Sequence, residues 1–263
     1  MPLFSIITVC FDASESIVDT MKSVYGQTYD SFEYIIVDGL STDDTLQLIN
    51  NTKKIYDVRE TTRIVSEKDD GIYDAMNNGV RYSSGRYCCF MNAGDTFVSP
   101  DVLLRLAESI ENHKYGYIYG DVYSVSKTFK KYVMAQSMDA VSKSLNMPYC
   151  HQALFISRDF VLNHPFDLKY RNAADYNQCI QLFKSGAEYL HADVTIANYQ
   201  IGGKSESDAL SYFDEKIEIR KINGFTHPTQ MQSRIIRFKI RMRILIKRIL
   251  PTSVVELIRR FKA

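Results

Sequence analysis

From Phe4 to Phe11 the chain reads FSIITVCF, an unbroken apolar and β-branched run. Such a run predicts a strand buried on both faces, as in a parallel sheet. Over Ser14 to Tyr25, Ile17, Met21, Val24 and Tyr25 fall at helical spacing, and Glu33 to Asp38 (EYIIVD) repeats the buried-strand pattern before acidic and turn residues. A second helix is expected to begin within Asp43 to Ile49. Arg63 to Ser66 (RIVS) then reads as a third strand, Ile72 to Arg81 as a helix and Tyr87 to Met91 (YCCFM) as a fourth strand. This alternation, complete before residue 100, predicts an α/β domain with an open, mostly parallel sheet and helices on both faces. Ligands of such sheets bind beyond the carboxyl ends of the strands.

After residue 100 the pattern loosens. Val102 to Ile110 and Tyr176 to Phe183 read as helices, Tyr117 to Tyr123 and Phe129 to Met134 as strands, and Ala153 to Ile156 as extended. No repeat or low-complexity tract interrupts them. Residues 1–220 are read as one domain in two halves, 1–99 and 100–220, followed by a separate tail over 221–263. Within the tail, Ser233 to Leu250 predicts a helix closed by Pro251. At about 100° per residue, Ile235, Phe238, Met242, Leu245, Ile246 and Ile249 form one stripe. Arg234, Arg237, Arg241 and Arg248 border it on one side, and Lys239, Arg243 and Lys247 on the other. Val254 to Phe261 adds a second short amphipathic piece.

Composition sharpens this. With 45% hydrophobic and 24% charged residues in 263, the chain can bury a sizeable single core. The formal net charge of +1 conceals a split, because residues 221–263 hold 11 of the 32 Lys+Arg but only Glu256 of the 31 Asp+Glu. Body and tail therefore face different partners. Cys10, Cys88, Cys89, Cys150 and Cys179 show no paired metal-ligand spacing and are read as reduced, packed thiols. Met1-Pro2-Leu3 leads straight into the first strand without a basic region or cleavage site, so no signal peptide is expected. No run reaches the 18 or so apolar residues of a membrane span.

Candidate chemistry lies where strands end. Asp12 follows the first strand, Asp38 closes the second and Asp95 follows the fourth, so all three are expected on one edge of the sheet. Each alone is ambiguous, since Asp also favours turns and caps. The segments around them are FSIITVCFDAS at Phe4 to Ser14, IIVDGLSTDDT at Ile35 to Thr45, SEKDDGIYDAMNNG at Ser66 to Gly79 and GRYCCFMNAGD at Gly85 to Asp95. In these segments the sequence resembles the family 2 glycosyltransferases, inverting enzymes of the GT-A fold, and particularly their bacterial cell-surface polysaccharide branch. The resemblance spans about residues 3 to 205. It implies a Rossmann-like mixed, mostly parallel sheet whose first half binds nucleotide and whose second half binds acceptor.

The resemblance also implies residue roles. Asp38 would hydrogen-bond the nucleotide base, with the backbone around Val9, Phe11 and Asp12 completing the pocket, Asp69 assisting, and Asn77 near the nucleotide or metal. Asn92-Ala93-Gly94-Asp95 stands in the place of the family's D-x-D metal motif. Asp95 would bind Mg²⁺ or Mn²⁺, and Asn92 and Gly94 depart from the pattern. Asp175, in the place of the second residue of the family's Glu-Asp pair, would be the catalytic base. His151, in an HQ pair of this branch, would contact diphosphate, ligate metal or pack in the core. Lys204 and Ser205, in IGGKS, would fold over the diphosphate.

The expected reaction is transfer of a hexosyl or N-acetylhexosaminyl group from a nucleotide diphosphate sugar, with UDP as the expected nucleotide, to a glycan or lipid-linked acceptor. An apolar stripe edged by cations suits an anionic membrane surface, which would make the protein cytoplasmic and peripheral at the inner face of the membrane. Docking on the body or on a second subunit competes with that reading, and nucleic acid is not expected. The rival functions are a nucleotidyltransferase, although CFDASES lacks a glycine-rich phosphate loop, and a non-catalytic nucleotide-sugar-binding module with a degenerate metal motif.

Overall fold

The computed structural model describes residues 1–57, 61–111, 113–126, 128–201 and 208–250, without the side chains of 247–249. Strand β1 (Phe4–Cys10) is buried at all seven positions. It runs parallel between β2 (Phe32–Asp38) and β4 (Tyr87–Phe90), and β3 (Thr62–Ser66) pairs in parallel with β2. The unbroken apolar run is explained by helices on both faces. Ile6 and Cys10 pack with Ile17, Met21 and Val24 of α1 (Ile17–Tyr25) and with Ile49 of α2 (Thr45–Tyr56). Ile7 and Val9 pack on the other face with Ala75, Met76 and Val80 of α3 (Ile72–Tyr82). That helix lies close, since a Cβ on Gly79 would meet Ile7 Cγ2 at 2.5 Å.

The second half extends the sheet with reversals. It contains β5 (Thr96–Phe97), α4 (Val102–Ile110), β6 (Tyr117–Val125), β7 (Lys130–Val133), α5 (Ala140–Lys143), β8 (Leu154–Ser157) and α6 (Arg158–Asn163). Then come α7 (Ala174–Ser185), β9 (Tyr189–Gln200), α8 (Ala209–Ile222) and α9 (Gln230–Ile249). The strand order is β3-β2-β1-β4-β8-β6-β9-β5, with β7 on β6. β8 joins β4 and β6 antiparallel, whereas β9 runs parallel to β6. The sheet is thus parallel in its first half and mixed in its second. The helix expected at Ile72 to Arg81 extends to Tyr82, and Ala153 closes a short 3₁₀ turn, His151–Ala153, ahead of β8.

Several elements escaped the sequence pattern. α8 is the clearest case, because two cations, Lys216 and Arg220, occupy its buried face. Arg220 is 1% exposed, and its guanidinium donates to the carbonyls of Val141, Ser142, Ser144 and Thr226 and to the Tyr176 hydroxyl. A buried guanidinium persists only when it is paired and hydrogen-bonded in this way. Residue 220, where the sequence reading closes the body, lies inside α8, and the Arg220 guanidinium reaches Thr226 beyond it. The helix read from Ser233 to Leu250 is α9, opened by a capping box between Thr229 and Gln232. The piece at Val254 to Phe261 lies outside the described residues.

Candidate active site

A cleft of about 1380 Å³ opens at the carboxyl ends of the central strands. One wall is the turn Asn92 to Thr96 after β4, and others come from Tyr149 to Gln152, Asn198 to Ile201, Tyr73, Arg171, Asp175 and Tyr212. Asp95 and Asp175 therefore line the same space, although 80 residues of chain separate them.

Asp95 is 5% exposed. Its Oδ2 accepts from Gln152 Nε2 at 2.9 Å and its Oδ1 from the Gln200 backbone N–H at 2.8 Å. Both bonds favour the carboxylate, but burial outweighs them and pushes its pKa up to about 7. The turn that presents it explains the departure from D-x-D. Gly94 sits at φ +102°, a backbone conformation that disfavours any side chain, so an aspartate there would be strained. Its N–H is held by Thr20 Oγ1 at 2.9 Å. Asn92 Oδ1 is buried without a hydrogen-bond partner, and Ala93 completes the turn on the cleft wall.

Asp175 lies in the first turn of α7, where the helix dipole favours a carboxylate. Its Oδ1 accepts from the Tyr73 hydroxyl at 3.0 Å and from the Tyr176 N–H at 2.8 Å. The approach to α7 is clamped by α8. Glu215 accepts from the backbone N–H groups of Arg171, Asn172 and Ala173 at 3.3, 3.0 and 2.8 Å. Asn172 Nδ2 donates to Asp208 and Ser211.

His151 lines the cleft, stacked on Phe90 at 5.3 Å, with Nε2 buried and unpartnered. Burial, opposed in part by Asp175, lowers its pKa and so favours the neutral ring. Packing and an open ring nitrogen thus coexist in one residue.

The acids at the other strand ends sit beside this cleft rather than in its wall. Asp38 is fully buried, and its carboxylate accepts from Ser41 N and Oγ and from Ser66 Oγ. Asp12, at φ +47°, accepts from the backbone of Thr42 and Asp43, tying the loop after β1 to the loop after β2. Val9 is buried, and Phe11 is 62% exposed on that loop. Asp69 accepts from Gly71 N at 2.9 Å, and its Oδ2 occupies the space a Cβ on Gly39 would take. Burial, reinforced by Asp74, Asp70 and Asp38, pushes the Asp69 pKa up.

Asn77 departs from expectation. Its amide donates to Phe166 O at 3.0 Å and accepts from Phe166 N at 2.9 Å, so a buried backbone segment takes both ends of the side chain and it does not line the cleft. The position three residues after an Asp on a helix gave no hint of that long-range partner. Lys204 and Ser205 lie outside the described residues. Tyr73, Gln152, Gln200, Tyr212 and Glu215 were not singled out in sequence. Tyr73 sits inside the motif SEKDDGIYDAMNNG and Gln152 beside His151, which were the available signals.

The residues around Asp95 can be tested for a divalent cation. Among the described residues no group of three His, Cys, Asp or Glu is placed to hold one. The orphaned Asn92 Oδ1 and the Asp95 carboxylate nevertheless give two hard oxygens on one turn, which suits Mg²⁺ or Mn²⁺ completed by diphosphate oxygens and water.

The family model described as Glycosyl transferase family 2 matches residues 5–173. A "PGL/p-HBAD biosynthesis glycosyltransferase" of Mycobacterium tuberculosis is 34% identical over 212 residues, 78% of this chain and 80% of that protein. The "UDP-Glc:alpha-D-GlcNAc-diphosphoundecaprenol beta-1,3-glucosyltransferase WfaP" of Escherichia coli is 26% identical over 213 residues, covering 79% of this chain and 80% of the relative. Among solved structures, S. aureus TarS 1–349 in complex with UDP-GlcNAc aligns with a TM-score of 0.67 at 17% identity, over 85% of this chain and 65% of that one. The mannosyltransferase PcManGT from Pyrobaculum calidifontis, in complex with GDP-Man and Mn²⁺, aligns with a TM-score of 0.66 at 11% identity, over 99% and 79%. These likenesses make the fold that of the GT-A glycosyltransferases.

Proposed function

Since the chain belongs to glycosyl transferase family 2 and is a glycosyltransferase, we propose that it transfers a sugar, with inversion, from a UDP-sugar to a glycan or lipid-linked acceptor at the cytoplasmic face of a membrane. The observation that carries this is the presence of Asp95 and Asp175 in one cleft. The WfaP name specifies a UDP-sugar donor and a diphosphoundecaprenol acceptor, and the TarS and PcManGT structures hold nucleotide sugars. Their support for the donor class is by analogy of fold.

Tyr73 and the Tyr176 N–H both bind Oδ1 of Asp175, which leaves Oδ2 to accept the proton of the acceptor hydroxyl. The deprotonated acceptor oxygen then attacks the anomeric carbon from the face opposite the leaving group as the bond to the diphosphate oxygen breaks and UDP departs, and the configuration inverts. Within the same cleft Asp95 and Asn92 would hold Mg²⁺ or Mn²⁺, which would neutralise charge on a departing diphosphate. Gln152 and Gln200 orient the Asp95 carboxylate. The loops after β1 and β2, with Asp38, Asp12, Phe11 and Val9, flank the site for the base, and Asp69 lies beside Asp38. His151 offers Nε2 toward the diphosphate. The diphosphate contact that the resemblance implies for Lys204 and Ser205 is part of this proposal. Tyr73 from α3, with Tyr212 and Arg171 from the second half of the chain, surrounds Asp175 in the cleft.

A thermal-shift panel of nucleotide sugars with Mn²⁺, followed by product analysis, tests this reading. A UDP-sugar should raise the melting temperature and turn over, and Asp175→Asn should slow turnover by about a hundredfold or more while keeping the shift. Binding without turnover would instead favour a non-catalytic module, and release of sugar 1-phosphate in place of UDP a nucleotidyltransferase.

A further inference from the structure

α9 carries two apolar stripes, and the body covers only one of them. Taking about 100° per residue, Ser233, Ile236, Ile240 and Ile244 share an arc that is buried or half-buried. From its edge Arg237 reaches Asp214 of α8 at 2.8 Å. On the opposite arc, Met231, Ile235, Phe238, Met242, Leu245 and Ile246 are 39–69% exposed. Exposed cations edge that second stripe along its length, Arg234 and Arg241 on one side and Lys239 and Arg243 on the other. α9 contains no acidic residue. A contiguous apolar face of this kind marks an interaction surface.

We propose that this outer face of α9 seats on an anionic lipid bilayer, with the six apolar side chains entering the headgroup boundary and the four flanking cations meeting lipid phosphates. A lipid surface fits better than a second copy of the chain. In a two-fold dimer the same patch meets itself, so α9 against α9 would set these cations against their own counterparts with no carboxylate between them. A bilayer supplies apolar depth and negative charge on both sides of the stripe at once. No helix among the described residues is long and apolar enough to cross a membrane, so the attachment is peripheral. It brings the enzyme to lipid-linked acceptors, yet it stands whichever sugar is moved.

Sedimentation of the full chain with vesicles tests this, using phosphatidylcholine alone and phosphatidylcholine mixed with phosphatidylglycerol. The expected result is binding to the mixed vesicles that weakens with salt, and at least tenfold weaker binding to phosphatidylcholine. Paired Lys239→Gln and Arg241→Gln substitutions should weaken binding about thirtyfold, and paired Phe238→Glu and Leu245→Glu should abolish it. The UDP-sugar thermal shift, measured on every variant, separates the two readings. An unchanged shift with lost sedimentation supports membrane docking, whereas absence of the shift in the wild type counts against the donor reading alone. The proposal is overturned if the wild type ignores anionic vesicles, if the Phe238 and Leu245 pair sediments like wild type, or if that pair instead dissolves a dimer of the lipid-free protein.

Discussion

The Tyr73 hydroxyl stands 3.0 Å from Oδ1 of Asp175 and 3.1 Å from Asn172 O, joining α3 to the start of α7. Burial and the neighbouring Asp175 raise the Tyr73 pKa well above its ordinary value, so the phenol stays a donor throughout the working pH range. It therefore holds the Asp175 carboxylate without giving up its own proton.

Tyr73→Phe removes one hydrogen bond worth about 1 kcal/mol and should lower kcat several-fold to tenfold with KM for donor unchanged. Asp175→Asn removes the proposed proton acceptor and should lower kcat by about a hundredfold to ten-thousandfold. Steady-state kinetics on the two variants checks the ordering. Equal losses would make Tyr73 as central as the base.

Glu215 lies 40 residues from Asp175 yet controls the strand of chain that leads to it. Glu215→Ala leaves the N–H groups of Arg171, Asn172 and Ala173 without their acceptor. At about 1 kcal/mol or more for each unsatisfied group, the melting temperature should fall by several degrees and kcat with it. Glu215→Gln keeps one acceptor oxygen and should recover part of both. A Glu215→Ala protein with wild-type melting and kcat would show that the clamp is idle.

Much of this was legible because the chemistry sits on elements with strong local signals. The β1 run, α4 at Val102–Ile110, and the acids at strand ends follow from periodicity and turn chemistry. The place of Asp175 at the start of α7 was legible through its motif. Glu215 was not, because its partners are backbone groups that carry no side-chain signature. Asn77 misled for the same reason, since its partner Phe166 lies 89 residues away. β9 was missed because YLHADVTIANYQ mixes exposed polar positions into a strand whose register shifts against β6.

Gly39 carries a close approach between two loops. A Cβ there would stand 2.6 Å from Asp69 Oδ2, and the end of a side chain can shift where backbone could not. Gly39→Ala should therefore fold with a melting temperature close to wild type while displacing Asp69 and weakening UDP-sugar binding by about tenfold, or 1.4 kcal/mol. Calorimetric titration with donor reads this directly. Unchanged affinity would remove Asp69 from the nucleotide site.

Asp95 supplies a pH dependence of definite sign. Its pKa rises from 3.8 to about 7 in the folded protein through burial. Between those values the unfolded chain has released the proton and the folded chain keeps it, so folding takes up a proton and stability falls as pH rises. The loss begins near pH 4, is complete above about pH 7, and has a ceiling of roughly 4 kcal/mol. Asp95→Asn cannot titrate, and other groups cancel in the comparison. Melting curves of both proteins, recorded without divalent cation from pH 4.5 to 8, should therefore diverge in favour of the variant as pH rises, then run parallel above pH 7. At about 2–4 °C per kcal/mol for a chain near this size, the divergence is readable. A melting difference that stays constant over the range would mean that the buried carboxyl is ionised at every pH tested, and that Gln152 and Gln200 stabilise its charge far better than their geometry implies.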